Sequence, residues 1–198
     1  MRAGFPTLPW RRLRGDEGGV AAIEFALVVP IVIVVYLVGF EVTEASTASR
    51  KLTDTTVQLA NVSAQYTSMS CTDMTNVLDA TAQIMTPYPT AKLTSVLSEV
   101  SVNSSDVGTV VWSTKLPAGT TVTTTGLTAG TTVAMPAGYQ SASSGTLNYY
   151  MMAQTTYSYQ PSIGAAFVGP GTAFGPISMQ DQIFMLPRAS LQIPSTCT

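Results

Sequence analysis

Glu24 is the residue in this chain with the greatest chemical consequence. It is preceded by Gly18-Gly19-Val20-Ala21-Ala22-Ile23 and followed, from Phe25 to Phe40, by the uncharged run FALVVPIVIVVYLVGF. An ionised side chain inside a spanning helix costs about 3 kcal/mol on insertion scales and marks a functional position with a partner to be named. A carboxylate and an ammonium are each expensive alone in a low dielectric, and much less so together. The plainer alternative is a tolerated end residue, favoured by the helix macrodipole.

The rest of the chain holds little acid–base material. Histidine is absent, cysteine occurs twice, and only 10% of residues are charged. These counts remove His-based general bases, His/Cys zinc sites, and Ser-His-Asp or Cys-His nucleophiles. Beyond Glu44 the carboxylates left for a site are Asp54, Asp73, Asp79, Glu99, Asp106 and Asp181, and they form no recognisable motif. No catalytic residue, metal or cofactor is therefore expected, and a membrane-tethered hydrolase ranks below non-catalytic functions. From Leu116 through Gln180 there is no Asp, Glu, Lys or Arg. Such polarity without ionisation suits an extracytoplasmic binding or structural module. A net charge of −2 excludes a nucleic-acid grip.

The apolar run must be a helix to satisfy its backbone in lipid. Counted from Val20 to Phe40 it is roughly 31 Å long, close to the thickness of a bilayer's hydrocarbon layer. Arg2, Arg11, Arg12 and Arg14 precede it, and Arg50 and Lys51 follow about ten residues beyond its far end. The positive-inside rule then puts the N-terminus in the cytoplasm and the C-terminal bulk outside. A cleavable secretory signal ending near Ala45-Ser46-Thr47-Ala48-Ser49 is the competitor. Asp16 and Glu17 in a long leader, Glu24 in the apolar run, and a helical pattern that continues past that point argue against it.

A glycine, four uncharged residues and a glutamate behind a basic leader resemble the type IV prepilin signal. The string Gly19-Val20-Ala21-Ala22-Ile23-Glu24-Phe25-Ala26-Leu27-Val28-Val29-Pro30 is similar to the opening of TadE-like pseudopilins of the tight-adherence pilus system. The likeness extends loosely through Arg50-Lys51-Leu52, Tyr157-Ser158-Tyr159-Gln160-Pro161 and Pro187-Arg188. The resemblance implies a leader of residues 1–19, cut by a prepilin peptidase after Gly19 to expose the amine of Val20. Glu24 would meet that amine on a neighbouring subunit. Phe25 stands where major pilins of this system usually carry tyrosine, so the resemblance implies a minor pilin. Its implied partners are the peptidase, the major pilin, other minor pilins, the inner-membrane assembly platform and the lipid bilayer. Incorporation into an extracellular pilus would follow.

Beyond Phe40 the positions Ala45, Ala48, Leu52, Thr55, Leu59, Val62 and Tyr66 recur at three- and four-residue steps. The spacing predicts that residues 41–66 continue the helix outside the membrane, with one stripe packed on the protein's own sheet rather than in a coiled coil. Pro30 removes one helical hydrogen bond and is expected to kink the rod. In residues 67–198, Thr72 or Asp73 is expected to cap a helix over Met74 to Met85, ended by Pro87. Leu93 to Val102 and Thr109 to Lys115 read as a hairpin around Asp106-Val107-Gly108, with Trp112 in its second strand. Residues 117–146, rich in Thr, Ser, Gly and Pro, read as loop or irregular strand. Leu147 to Gln160 alternates as a strand whose tyrosine stripe is packing rather than a sugar platform. Ile177 to Leu186 and Ala189 to Ile193 supply the last strands.

The expected fold is α+β and pilin-like, a long helix laid on an antiparallel sheet of four or five strands. Cys71 and Cys197 form an even pair, which in an oxidising periplasm reads as a disulfide; two free thiols or an intermolecular link are the alternatives. Two functions follow. One is a minor pilin or pseudopilin for pilus assembly and surface attachment. The other is a binding module or adhesin held by a permanent single-pass anchor.

Overall fold

The computed structural model describes residues 18–120, 123–136, 139, 148–161 and 175–197. The basic leader up to residue 17, and Leu147, lie outside the described residues. Helix α1 runs over Gly18–Ser63, 46 residues with Pro30 inside it and no break at that proline. The chain divides into two compact units, Met1–Thr43 and Glu44–Thr198. In the described part of the first, α1 is the sole element; the second holds the rest of α1 and the sheet.

Within the second unit the predicted stripe is the buried face of α1. Ala48, Leu52, Thr55 and Leu59 are buried, and Thr56, Ala60 and Ser63 widen the stripe. Small side chains let the helix lie close to the sheet. The hydroxyls of Thr55, Thr56 and Ser63 donate to the carbonyls of Lys51, Leu52 and Leu59, four residues back, at 2.8, 2.8 and 2.6 Å. That local bond lets three polar groups enter the core without stranding a donor. The helix packs on its own sheet, as the sequence predicts, and so no coiled coil is needed to cover this stripe.

Helix α2 spans Cys71–Ala82 and continues as one 3-10 turn over Gln83–Met85. The expected start at Met74 is corrected by three residues, because the cap is Ser70. Its Oγ accepts the Asp73 N–H at 3.2 Å, while the Asp73 carboxylate accepts the Ser70 N–H at 3.0 Å. This reciprocal pair is a capping box, with Asp73 in the third helical position rather than at the cap. Met74, Val77, Leu78, Thr81 and Ala82 form the buried side.

Six antiparallel strands form one sheet: β1 (Leu93–Val102), β2 (Val107–Leu116), β3 (Thr124–Thr125), β4 (Thr132–Ala134), β5 (Asn148–Tyr159) and β6 (Ile177–Met185). The order is β3-β2-β1-β5-β6, with β4 also on β2. The Thr/Gly-rich segment expected as loop or irregular strand supplies the short β3 and β4 at the outer edge of β2. The hairpin turn also falls earlier than expected: Asn103 Oδ1 accepts the N–H groups of Ser105 and Val107, and Val107 and Gly108 are already in strand. Glu99 pairs with Trp112 but Val100 with Val110, so Val111 is an extra residue, a β-bulge. The bulge reverses the alternation of β2, which sends Trp112 to the helix side and Val110 to the opposite face.

The core on the helix side has two apolar clusters, one around Leu59, Leu97 and Met151 and one around Leu52, Leu93 and Tyr157. Buried hydroxyls fall between them on three elements: Thr55 and Thr56 on α1, Ser95 on β1 and Thr155 on β5. The Thr56 and Thr155 hydroxyls bond each other. A third cluster lies on the other face, where Val100, Val102, Tyr150, Met152 and Phe184 pack under Val133, Met135 and Tyr139. Strand β5 is thus buried on both faces at one end. The strand expected at Ala189 to Ile193 does not form. Its backbone is engaged otherwise: the Ile193 N–H donates to a Glu99 carboxylate oxygen, and the Ser190 hydroxyl donates to the Gln192 carbonyl.

Candidate functional site

Gly19, Val20, Glu24, Phe25 and Pro30 follow one another along the first part of α1. Val20, Ile23, Phe25, Leu27, Ile31 and Val35 are all exposed, and Phe25 is 70% accessible. This helix is long and apolar enough to cross a membrane, and none of its most apolar stretch is covered by the protein. Apolar surface of this extent needs either lipid or other helices around it. Glu24 shares that exposed stretch. A Cβ built on Gly19 meets nothing within 4 Å. A larger residue at Gly19 would therefore meet no clash within this chain.

Cys71 and Cys197 are joined in a disulfide, with Cα atoms 4.9 Å apart. Beside it the tail is held by main-chain bonds from Met69 N–H to the Pro194 carbonyl and from Thr196 N–H to the Met69 carbonyl, at 3.1 and 3.0 Å. The bridge ties the C-terminus to the first residue of α2. It is a structural clasp and lies on different elements from the Gly19–Glu24 segment.

The tyrosine stripe of β5 is core, as expected. Tyr157 and Tyr159 are buried and meet Tyr88 edge to face at 6.5 and 6.4 Å. The Tyr88 hydroxyl donates to the Glu44 carboxylate at 2.9 Å. Burial, and then the neighbouring Glu44 carboxylate, push the Tyr88 phenol up to about 12.

One of the six carboxylates that form no motif in the sequence has a definite place in the fold. Glu99 is fully buried on the helix side of β1, where it accepts the Ile193 N–H at 2.6 Å and the Gln192 side-chain amide at 3.5 Å. Period-two counting from Leu93 and Leu97 places it inward, and that was the available signal. Burial raises its pKa, and the bonds from Ile193, Gln192 and Trp112 oppose the rise without cancelling it. Folding therefore favours the protonated carboxyl. Its contribution to stability is whole below the ordinary carboxylate range and is lost as pH rises through the raised native value. Asp73, lowered by its bonds with Ser70, works in the opposite direction. The comparison that isolates Glu99 is wild type against Glu99→Gln in denaturant titrations. The wild type should gain on the variant as pH falls from 7 toward 4; an unchanged difference would remove the assignment.

Among the described residues no group of three or more His, Cys, Asp or Glu is arranged to hold a metal ion. Compared with known proteins, the chain matches no family model, no curated protein and no solved structure.

Proposed function

We propose that this chain is a single-pass membrane-anchored subunit whose disulfide-bonded sheet domain is displayed outside the cytoplasm and works by association, not turnover. The observation that carries this reading is the fully exposed apolar stretch of α1 in the same chain as a covalently clasped α+β domain. In its simplest form the anchor is permanent and the domain is a binding module or adhesin. The arginines before α1 favour a cytoplasmic N-terminus. Removal of the helix by a cut after Ala48 or Ser49 is disfavoured, because Ala48 is itself core and Ala45 packs beside Tyr88.

A second reading is a TadE-like minor pilin, and a specific feature favours it. A static anchor only tolerates an exposed carboxylate at the start of its helix, through the macrodipole, whereas a trimmed pilin gives one five residues past a glycine a partner. The Val20 amine, freed by a prepilin peptidase, would meet Glu24 of a neighbouring subunit as the helices pack side by side. The partners would be the major pilin, other minor pilins and an inner-membrane assembly platform.

Intact-mass measurement of the membrane-extracted protein separates the two. A chain beginning at Val20 supports the pilin reading, a full-length chain supports the permanent anchor, and one beginning after Ala48 or Ser49 overturns both. If trimming occurs, Glu24→Ala should insert and be trimmed normally yet fail to assemble, since an amine left without its anion costs about 3–5 kcal/mol per contact. Trimmed Glu24→Ala protein recovered in fibres at the wild-type level would refute the pairing.

A further inference from the structure

A cleft of about 440 Å³ opens at the edge of β2, bounded by the N-terminal end of α2, the C-terminal tail and the segment that carries β3. Its volume falls in the usual range of small-ligand sites, about 300–1,000 Å³. Ser113, Thr114, Thr124, Thr125 and Ser195 bring hydroxyls to it, and Trp112, Met74 and Leu127 bring apolar surface. Among the described residues its lining contains no ionisable side chain.

The walls are fastened independently of any ligand. Strand β3 pairs with β2 at Thr114 and Lys115. The Gly126 N–H donates to the Ser113 carbonyl at 3.3 Å and the Leu127 N–H to the Ser113 hydroxyl at 2.9 Å. Gly126 permits this approach, since a Cβ there would collide with the Ser113 side chain. The Thr75 and Thr123 hydroxyls link α2 to the facing segment at 3.3 Å. The Trp112 ring N–H donates to the Ile193 carbonyl at 2.8 Å, which fixes the indole at the wall of the cleft. The disulfide holds the tail side.

We propose that this cleft binds a neutral sugar ring, with the apolar ring face against Trp112 and the sugar hydroxyls against the Thr and Ser hydroxyls. The lining selects this class by exclusion. A charged ligand meets no counter-charge, and a hydrocarbon ligand would strip water from the exposed Thr124 and Thr125 hydroxyls without replacing their bonds. A pyranose offers both surfaces at once. The inference deepens the reading of the domain as a displayed binding module and rests on it only for where the sugar is met.

The full chain in a sulfobetaine detergent, which carries no sugar, is the material for the test, with chitotriose and maltotriose as probes. Saturation-transfer NMR should show transfer from protein to either trisaccharide. Thr125→Val keeps the β-branched shape at an exposed strand position, so it should leave the unfolding midpoint unchanged and weaken binding about tenfold. Trp112→Phe should weaken it further. Transfer to neither sugar in a folded sample, equal binding by wild type and Thr125→Val, or displacement-free binding of an uncharged Ser/Thr peptide in the cleft would each overturn the proposal. The N-terminal mass is read on a different segment, so failure here leaves the anchor and pilin readings where they stood, and an intact or trimmed leader leaves the sugar measurement unaffected.

Discussion

Replacing both Cys71 and Cys197 with serine is expected to remove about 4–5 kcal/mol of stability and to lower the thermal midpoint of the sheet domain by roughly 10–15 °C. The bridge spans a sequence separation of 126, so nearly the whole domain lies within the loop it closes. In the chain-entropy account the gain grows with the logarithm of that length. The native tail would keep its main-chain bonds to Met69, its Glu99–Ile193 bond and the Trp112–Ile193 bond. Residual folding is therefore expected, with the tail the first part cut by protease. Calorimetry of the double-serine variant, beside wild type with and without reductant, measures the effect. A midpoint unchanged by both the substitutions and the reductant would show that the clasp contributes nothing beyond the bonds around it.

Leu59→Ala is expected to cost about 2–5 kcal/mol, the range for emptying a fully buried leucine site. Leu59 is wholly inaccessible and packs in the cluster with Leu97, Met151 and Ala153. Gln58, its neighbour on the solvent side of α1, is exposed, and Gln58→Ala should change stability by less than about 0.5 kcal/mol. The pair distinguishes two uses of the same stripe. If the helix packs on its own sheet, Leu59→Ala lowers the unfolding free energy at every protein concentration. A stripe reserved for another subunit's helix would instead give a concentration-dependent loss and a sheet domain of nearly native stability.

Several elements were legible because their signal is local. Strand β1 was expected from Leu93 to Val102 and has those bounds, and β5 ends at Tyr159, one residue before the expected Gln160. Both are long, β-branched or aromatic, and bounded by turn residues. The stripe on α1 was legible for the same reason, since three- and four-residue steps persist over two dozen positions. Errors occurred where a distant group competes for the backbone. Ala189 to Ile193 carries a strand-like composition, yet a carboxylate 94 residues away in sequence takes the Ile193 N–H. The bulge at Val111 likewise cannot be counted from β2 alone, because it is defined by the pairing of Glu99 and Val100 with their partners. The Ser70 cap was a different kind of miss: a serine followed three residues later by an acidic side chain was already present, and Thr72 or Asp73 was expected as the cap instead.

Sequence alone determined that this protein has an apolar helix of membrane-spanning length with one carboxylate in it, continued by a helix with one stripe to be covered, for which a sheet was expected over a coiled coil. Periodicity and the cost of charge in hydrocarbon act over a few turns, so they can be read residue by residue. Only the tertiary structure decided which hydroxyls are core, that Glu99 is a buried latch for the tail, and that β2, α2 and the C-terminus enclose a cleft around Trp112. Those features depend on contacts between segments far apart in the chain, and burial, not residue type, determines the role each side chain plays there.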